Sequence, residues 1–392
     1  MFSNEDNSIC YFAESNFREE RNTFGIRLHD RLYHFYILGR TGTGKTTLLK
    51  TKISQDLRNG FGLCLIDVHG DLVSQIINMI PEHQLEDIVY LNATDPSLKL
   101  GYNPLRKVSL EKQPLVASNI LEVFERLWGN KSWGVKLSHI LRNVILLLLQ
   151  QKHATFSDIL KVLQDSDFRS LCLKHVTNEE VRNFFEKEFK QYSKNDLVPI
   201  YNKLGGLLSY PSVKRILVDN TDQISLRDIM DNNKILLVNL SKGYLGADAS
   251  YILGSLLLTS ISSAAFSRID TSEEKRKIFF CYLDEFQNYT TTSLVGMLSE
   301  LRKFKVGLIM AHQYISQLDA NIRDAVLGNV GTIVCFRLGQ ADARFMEKEF
   351  YPVFSASDFV NLSNYDIYLK LMIDGRPSVA FSASTLMPHH IW

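Results

Sequence analysis

A short apolar run, His34 to Leu38, passes directly into Gly39-Arg40-Thr41-Gly42-Thr43-Gly44-Lys45-Thr46, and Thr46 to Arg58 then has helical character. A buried strand that turns through a glycine-rich loop into a helix leaves few folds open, because only a layered α/β arrangement covers such a strand on both faces. The turn fits G-x-x-x-x-G-K-[ST] in the context that the pattern requires. Its glycines let backbone N–H groups converge on phosphate, and the helix N-terminus adds a favourable field. Lys45 is expected on the β- and γ-phosphates, with the Thr46 hydroxyl on Mg²⁺. The alternative, a chance glycine turn, does not account for the strand before it and the helix after it.

The alternation continues on either side of a long helical stretch. Gly62 to Asp67 and Ile88 to Leu91 read as further strands, with helical spacing from Leu72 to Ile80 between them. From about Pro104 to Asp231 strand signal nearly vanishes, and Leu137, Ile140, Leu141, Val144, Ile145 and Leu148 recur at helical spacing. Strands resume at Ile235 to Leu240, Ile278 to Leu283, Val306 to Ala311 and Thr332 to Arg337, and a helix is expected from about Ala341 to Lys348. Asp366 to Ile373 and Ser378 to Ala383 read as a hairpin turning near Asp374 and Gly375. The expected fold is an α/β core with a mostly parallel sheet, interrupted by an all-α insertion. The expected boundaries are 1–104 and 232–392 for the two parts of the core, and 105–231 for the insertion.

Composition narrows the class without choosing a partner. Hydrophobic residues at 45 % and charged residues at 22 % are an ordinary globular balance. A net charge of +1 argues neither for nor against nucleic acid, since a neutral total can hide a basic face. The five cysteines contain no Cys-x-x-Cys pair, and Cys64, Cys281 and Cys335 sit in apolar runs, which suggests reduced, buried thiols in a cytosolic protein. The first residues lack the basic start and apolar stretch of a signal peptide. Tyr251 to Phe266 is uncharged but carries five Ser/Thr, and it falls short of the roughly 20 apolar residues of a membrane span. It is expected as a buried helix.

The run Ile278 to Leu283 ends in Asp284-Glu285, which supplies the other half of a nucleotide site. Asp284 is expected to hold Mg²⁺ and Glu285 to polarise the attacking water. Asp67 of Asp67-Val68-His69-Gly70-Asp71 ends a strand beside the glycine-rich turn, where ligands bind in such sheets. Equally, Asp67 or Asp71 could cap the next helix. Gln313 and His312 follow another strand at the same edge, where a glutamine can sense the γ-phosphate or orient water; a surface amide is the plainer account. Arg337 ends a further strand and could act as an arginine finger on a neighbouring subunit, or be an ordinary surface cation. No recognised DNA-reading module is present, and Lys242 with Arg302, Lys303 and Lys305 are the candidate phosphate contacts.

Taken together, the ordered segments resemble the HerA/FtsK superfamily of ring-forming DNA-pumping ATPases, and within it the coupling-protein ATPases of conjugation and type IV secretion. The segments are Phe24 to Leu48, Asp67 to Leu72, Leu236 to Gly246, Tyr282 to Tyr289, Ala311 to Leu318, Gly328 to Ala343 and Leu369 to Gly375, so the resemblance covers nearly the whole chain. It implies a RecA-like core assembling as a homo-hexamer with DNA threaded through its centre. The family's sensor residue falls on Gln313, its trans-acting arginine on Arg337, and Asp67 gains a site role. Val68 stands where many relatives have proline, and His312 where many have asparagine.

The expected site is therefore Lys45, Glu285, Gln313 and Arg337 as catalytic groups, with Thr46 and Asp284 on the metal. Gly39, Arg40, Thr41, Gly42, Thr43, Gly44, Lys45, Thr46, Thr47 and Asp67 form the nucleotide-binding set. The expected activity is ATP-driven DNA translocation, in the cytoplasm or peripheral to a membrane through a membrane or secretion-system partner. The competing expectation is a motor or recruitment platform for protein or nucleoprotein that uses ATP as an assembly switch.

Overall fold

All four residues of β3 (Phe35–Leu38) are buried, as are all six of β4 (Gly62–Asp67). Strands of this kind need cover on both faces, and the topology supplies it. The computed structural model describes residues 8–16, 21–129, 133–220 and 222–388. The other strands are β1 (Ile9–Ser15), β2 (Thr23–Arg27), β5 (Ile88–Asn92), β6 (Leu100–Gly101), β7 (Asp222–Gln223), β8 (Ile235–Asn239), β9 (Phe279–Leu283), β10 (Val306–His312) and β11 (Thr332–Cys335). They are followed by β12 (Asp366–Lys370), β13 (Met372–Ile373), β14 (Arg376–Pro377) and β15 (Phe381–Thr385).

Eleven strands form one sheet in the order β2-β1-β15-β12-β11-β3-β10-β9-β4-β8-β5. The block from β11 to β8 is parallel throughout. β12, β15, β1 and β2 extend it with antiparallel pairings. Alternate residues set the faces. Phe35 and Ile37, Leu63 and Leu65, Phe280 and Tyr282, Ile309 and Ala311, and Ile235 and Leu237 join one apolar cluster with Leu48, Leu49, Ile53 and Leu57 of the helix Lys45–Arg58. Leu72, Val73 and Ile76 of the helix Asp71–Ile77 join it as well. Each such Leu or Ile, fully buried, contributes about 1.5–3 kcal/mol.

The chain divides into two compact units: Met1–Tyr90, Leu226–Asn239 and Ala264–Trp392 form the first, and Leu91–Ser225 with Leu240–Ser263 the second. The second unit is wider than the 105–231 read from sequence. Residues 91–104 belong to it because Tyr102 N–H donates to Ile216 O (2.9 Å) and Ile224 N–H to Gly101 O (3.0 Å). Residues 240–263 join it through contacts such as the Tyr102 hydroxyl on Leu256 O (2.8 Å). Its body is helical, with Gln113–Trp128, Val135–Leu148, Phe156–Gln164, Lys194–Leu208 and most of Ala247–Ser267 as the longer helices. It also holds a two-residue parallel ladder between β6 and β7, so it is not purely α.

Three details depart from the sequence reading. β1 and β2 form an antiparallel pair that the apolar pattern did not reveal, its register broken by a bulge between Tyr11 and Ala13. β11 stops at Cys335 rather than Arg337. The C-terminal hairpin is broken in two, since β12 pairs with β15 and β13 with β14, around a turn in which Asp374 (φ 50°) and Gly375 (φ 75°) are left-handed. The apolar helix Ala247–Ser267 belongs to a stretch long and apolar enough to cross a membrane, but 78 % of its most apolar window is buried inside the protein.

Candidate active site

β10 lies between β3 and β9, so the glycine-rich turn after β3 and the acidic pair after β9 are separated by one strand width. That spacing brings three strand ends together at one edge. Gly39 N–H donates to His312 O at the end of β10 (3.2 Å), and Arg40 N–H donates to Arg337 O beyond β11 (3.0 Å). The turn is thus held from both sides before any side chain is considered.

Within the turn, Gly42 (φ 77°) and Gly44 (φ 125°) are left-handed. A Cβ on Gly44 would lie 2.8 Å from Phe336 Cε1 and 3.0 Å from Tyr365 Cδ1, so this glycine is required by space as well as by backbone. Lys45 Nζ donates to Gly39 O (2.6 Å) and Arg40 O (3.2 Å). Burial lowers the Lys45 pKa, while Glu285 and Asp284 act to raise it. Thr43 Oγ1 donates to Arg40 O (2.7 Å). Arg40, Thr41 and Thr46 are exposed, and Thr47 is half-buried.

Asp284 and Glu285 are both buried. Burial, helped by the charges of Asp67 and Glu285, pushes the Asp284 carboxyl up to about 7. Glu285 sits at φ 50°, ψ 50°, a left-handed conformation costing of order 1–3 kcal/mol in a residue other than glycine. Its carboxylate is held on both oxygens: Gln313 Nε2 donates to Oε1, and Gln287 Nε2 donates to Oε2 at 2.8 Å. Gln313 in turn accepts from Thr41 Oγ1 (3.0 Å). One glutamine therefore joins the glycine-rich turn to the acid after β9.

Asp67, expected among the nucleotide-binding residues, is fully buried and acts as a cap. Its Oδ1 accepts from His69 N–H (2.8 Å), and its Oδ2 accepts from Leu72 N–H (2.9 Å) and Val73 N–H (3.1 Å). These bonds satisfy orphan donors at the start of the helix Asp71–Ile77. Arg337 lies against its own glycine-rich turn through its main chain, and its guanidinium donates to Leu362 O (3.3 Å) and Asn364 Oδ1 (2.8 Å). Within this chain the guanidinium therefore lies beside the segment Leu362 to Asn364. His312 is buried, with Nδ1 on the Tyr36 hydroxyl (3.0 Å) and its ring edge-on to Phe286 (5.2 Å); burial, then Lys45, lowers its pKa to about 3. Of the candidate phosphate contacts, Arg302 is stacked over the Tyr33 ring at 3.9 Å, and Lys242 begins a short helix that carries the exposed Tyr244.

Sequence reasoning missed Gln287. The signal was an amide two residues beyond Glu285, but nothing in its spacing says that the turn folds it back. The packing of Phe336 and Tyr365 on the glycine-rich turn was missed as well, because both contacts are distant in sequence.

Residues 24–350 match the type IV secretion-system coupling protein DNA-binding domain family. The chain belongs to that family. Among solved structures, the plasmid coupling protein TrwB with a non-hydrolysable GTP analogue is similar over 99 % of this chain and 90 % of its own, with TM-score 0.70 and 16 % identity. TrwB with ADP and Mg²⁺ gives the same values. VirB4 of Thermoanaerobacter pseudethanolicus matches over 100 % of this chain and 99 % of its own, with TM-score 0.66 and 12 % identity. At such identities the likeness shows the fold, which is the RecA-like α/β fold expected of a coupling protein. No curated protein sequence matches the chain.

Proposed function

We propose that this coupling-protein family member is an ATP-hydrolysing motor that moves DNA in conjugative transfer or type IV secretion. The observation that carries the proposal is the chain of contacts Thr41–Gln313–Glu285, which ties the phosphate-binding turn to a buried carboxylate. In this reading the phosphates of ATP lie against the backbone N–H groups of Gly39 to Thr46, at the N-terminus of the helix Lys45–Arg58. Lys45 exchanges its bonds to Gly39 O and Arg40 O for the β- and γ-phosphates. Glu285 orients the water that attacks the γ-phosphate, and Gln313 reports the state of the turn to Glu285.

The residues present suit Mg²⁺. Asp284 is a buried carboxyl whose proton is retained up to about pH 7 by burial and by Asp67 and Glu285, so a cation at that point would take the proton's place. Thr46, an exposed residue, lies in the first turn of the helix Lys45–Arg58. Thr46 and Asp284 would hold the ion, directly or through water, and the ion would neutralise charge developing on the phosphates.

The same reading takes the assembly to be a homo-hexamer with DNA in a central pore, on the cytoplasmic side of a membrane and peripheral to it through a secretion-system partner. Its first test is Glu285→Gln. Nucleotide binding should persist while turnover falls by about a hundredfold or more, the usual weight of a general base. Full turnover in that variant would remove the assignment.

A further inference from the structure

The Glu285 carboxylate is buried, stands on a left-handed backbone, and is gripped on its two oxygens by amides from different elements. Gln313 follows β10 and is tied to Thr41. Gln287 has no such tie. It lies on the one-turn helix Phe286–Asn288, which closes directly on Glu285. Asn288 N–H donates to Glu285 O (3.0 Å), and Asn288 Nδ2 donates to the same oxygen (2.8 Å). Tyr289 adds a hydroxyl bond to Asp284 O and an N–H bond to Phe286 O (3.1 Å). Gln287 is therefore carried on a pinned turn and aimed back at the acid. Its own Oε1 is buried, with no hydrogen-bond partner among the described residues.

We propose that Gln287 is a positioning residue for ATP hydrolysis, fixing the plane of the Glu285 carboxylate. The inference rests on the proposed ATPase function. A carboxylate held by one amide still swings about that bond; a second amide on the other oxygen removes the freedom. The side chain must donate, since Glu285 offers only acceptors when ionised. Gln313 couples the acid to the phosphate turn, and Gln287 fixes its orientation.

The test uses the full chain with Gln287→Met, of similar length but without a donor, and Gln287→Lys, which restores an N–H donor of comparable reach. Steady-state ATP turnover is measured with DNA, nucleotide affinity with a fluorescent ATP analogue, and thermal melting as a control, with Glu285→Gln as reference. Gln287→Met should lose about tenfold in kcat, a part of what a general base supplies, with nucleotide affinity within about threefold and only a small fall in melting temperature from the lost bond to Glu285. Gln287→Lys should recover most of the loss. Wild-type kcat in Gln287→Met, a raised kcat, or an equal loss in both variants would overturn the proposal while leaving the ATPase reading intact. Wild-type turnover that does not depend on Glu285 would instead overturn both.

Discussion

Gln313 donates from its amide nitrogen to the carboxylate of Glu285, across the gap between the ends of β10 and β9. Its amide oxygen meanwhile accepts from Thr41 of the glycine-rich turn (3.0 Å). A γ-phosphate bound in that turn would compete for Thr41 and so alter the bond to Glu285. Gln313→Ala should therefore lower kcat by about 10- to 100-fold, with nucleotide affinity held within about threefold. Turnover assays beside equilibrium binding separate the two quantities.

Two glycines of the same turn should behave differently. Gly44→Ala places a methyl group 2.8 Å from Phe336 Cε1 at φ 125°, whereas nothing lies within 4 Å of a Cβ on Gly42, at φ 77°. Gly44→Ala should weaken nucleotide binding by about tenfold or more, and Gly42→Ala by clearly less, because only its backbone preference opposes the change. Titration with a fluorescent nucleotide checks the order.

Near the C-terminal end of the helix Lys45–Arg58, Arg31 and Asp56 form a buried bidentate pair (2.6 and 2.7 Å), with Arg31 Nη2 on the Tyr282 hydroxyl at 3.0 Å and the guanidinium 3.6 Å from the Phe280 ring. Arg31→Met leaves the buried Asp56 carboxylate with the Tyr282 hydroxyl but without its cationic partner in the pair, and should cost about 3–5 kcal/mol of stability. Replacing both, Arg31→Met with Asp56→Leu, should recover much of that loss, since the pair carries its own desolvation cost. Urea unfolding measures both variants.

His34 ties the start of β3 to its surroundings as a neutral ring: Nε2 bonds Leu298 O (3.0 Å) and Nδ1 accepts from Leu308 N–H (3.1 Å). An acceptor nitrogen cannot be protonated without losing its bond, and burial, with Arg302 adding to it, lowers the His34 pKa to about 4. The unfolded chain binds that proton below about pH 6.5, so stability should fall as pH drops from about 6.5 to 4 and level off below. The shift corresponds to of order 3 kcal/mol. His34→Asn, which tolerates the φ of 67°, should flatten that part of the stability profile in denaturation at stepped pH.

The parallel core was legible because its strands are apolar on both faces: Gly62 to Asp67 was placed to the residue, and Ile235 to within one position. β1 and β2 were not, since a bulged, half-exposed pair offers neither a continuous apolar run nor clean alternation. Lys45, Asp284, Glu285 and Gln313 could be listed from strand ends, and the structure brings them together. The capping of the Asp71–Ile77 helix by Asp67 could only be offered as an alternative, because a carboxylate at a strand end looks the same whether it faces a ligand or backbone N–H groups. Gln287 and the tie between Arg40 and Arg337 depend on how loops fold back, which spacing does not encode.

The most direct measurement is steady-state ATP turnover with and without double- and single-stranded DNA, at low and moderate salt, in the wild-type chain and in Glu285→Gln. Turnover should be stimulated by DNA, the stimulation should fade with salt as phosphate contacts weaken, and Glu285→Gln should lose nearly all turnover. Turnover indifferent to both kinds of DNA, or retained in Glu285→Gln, would contradict the proposed function.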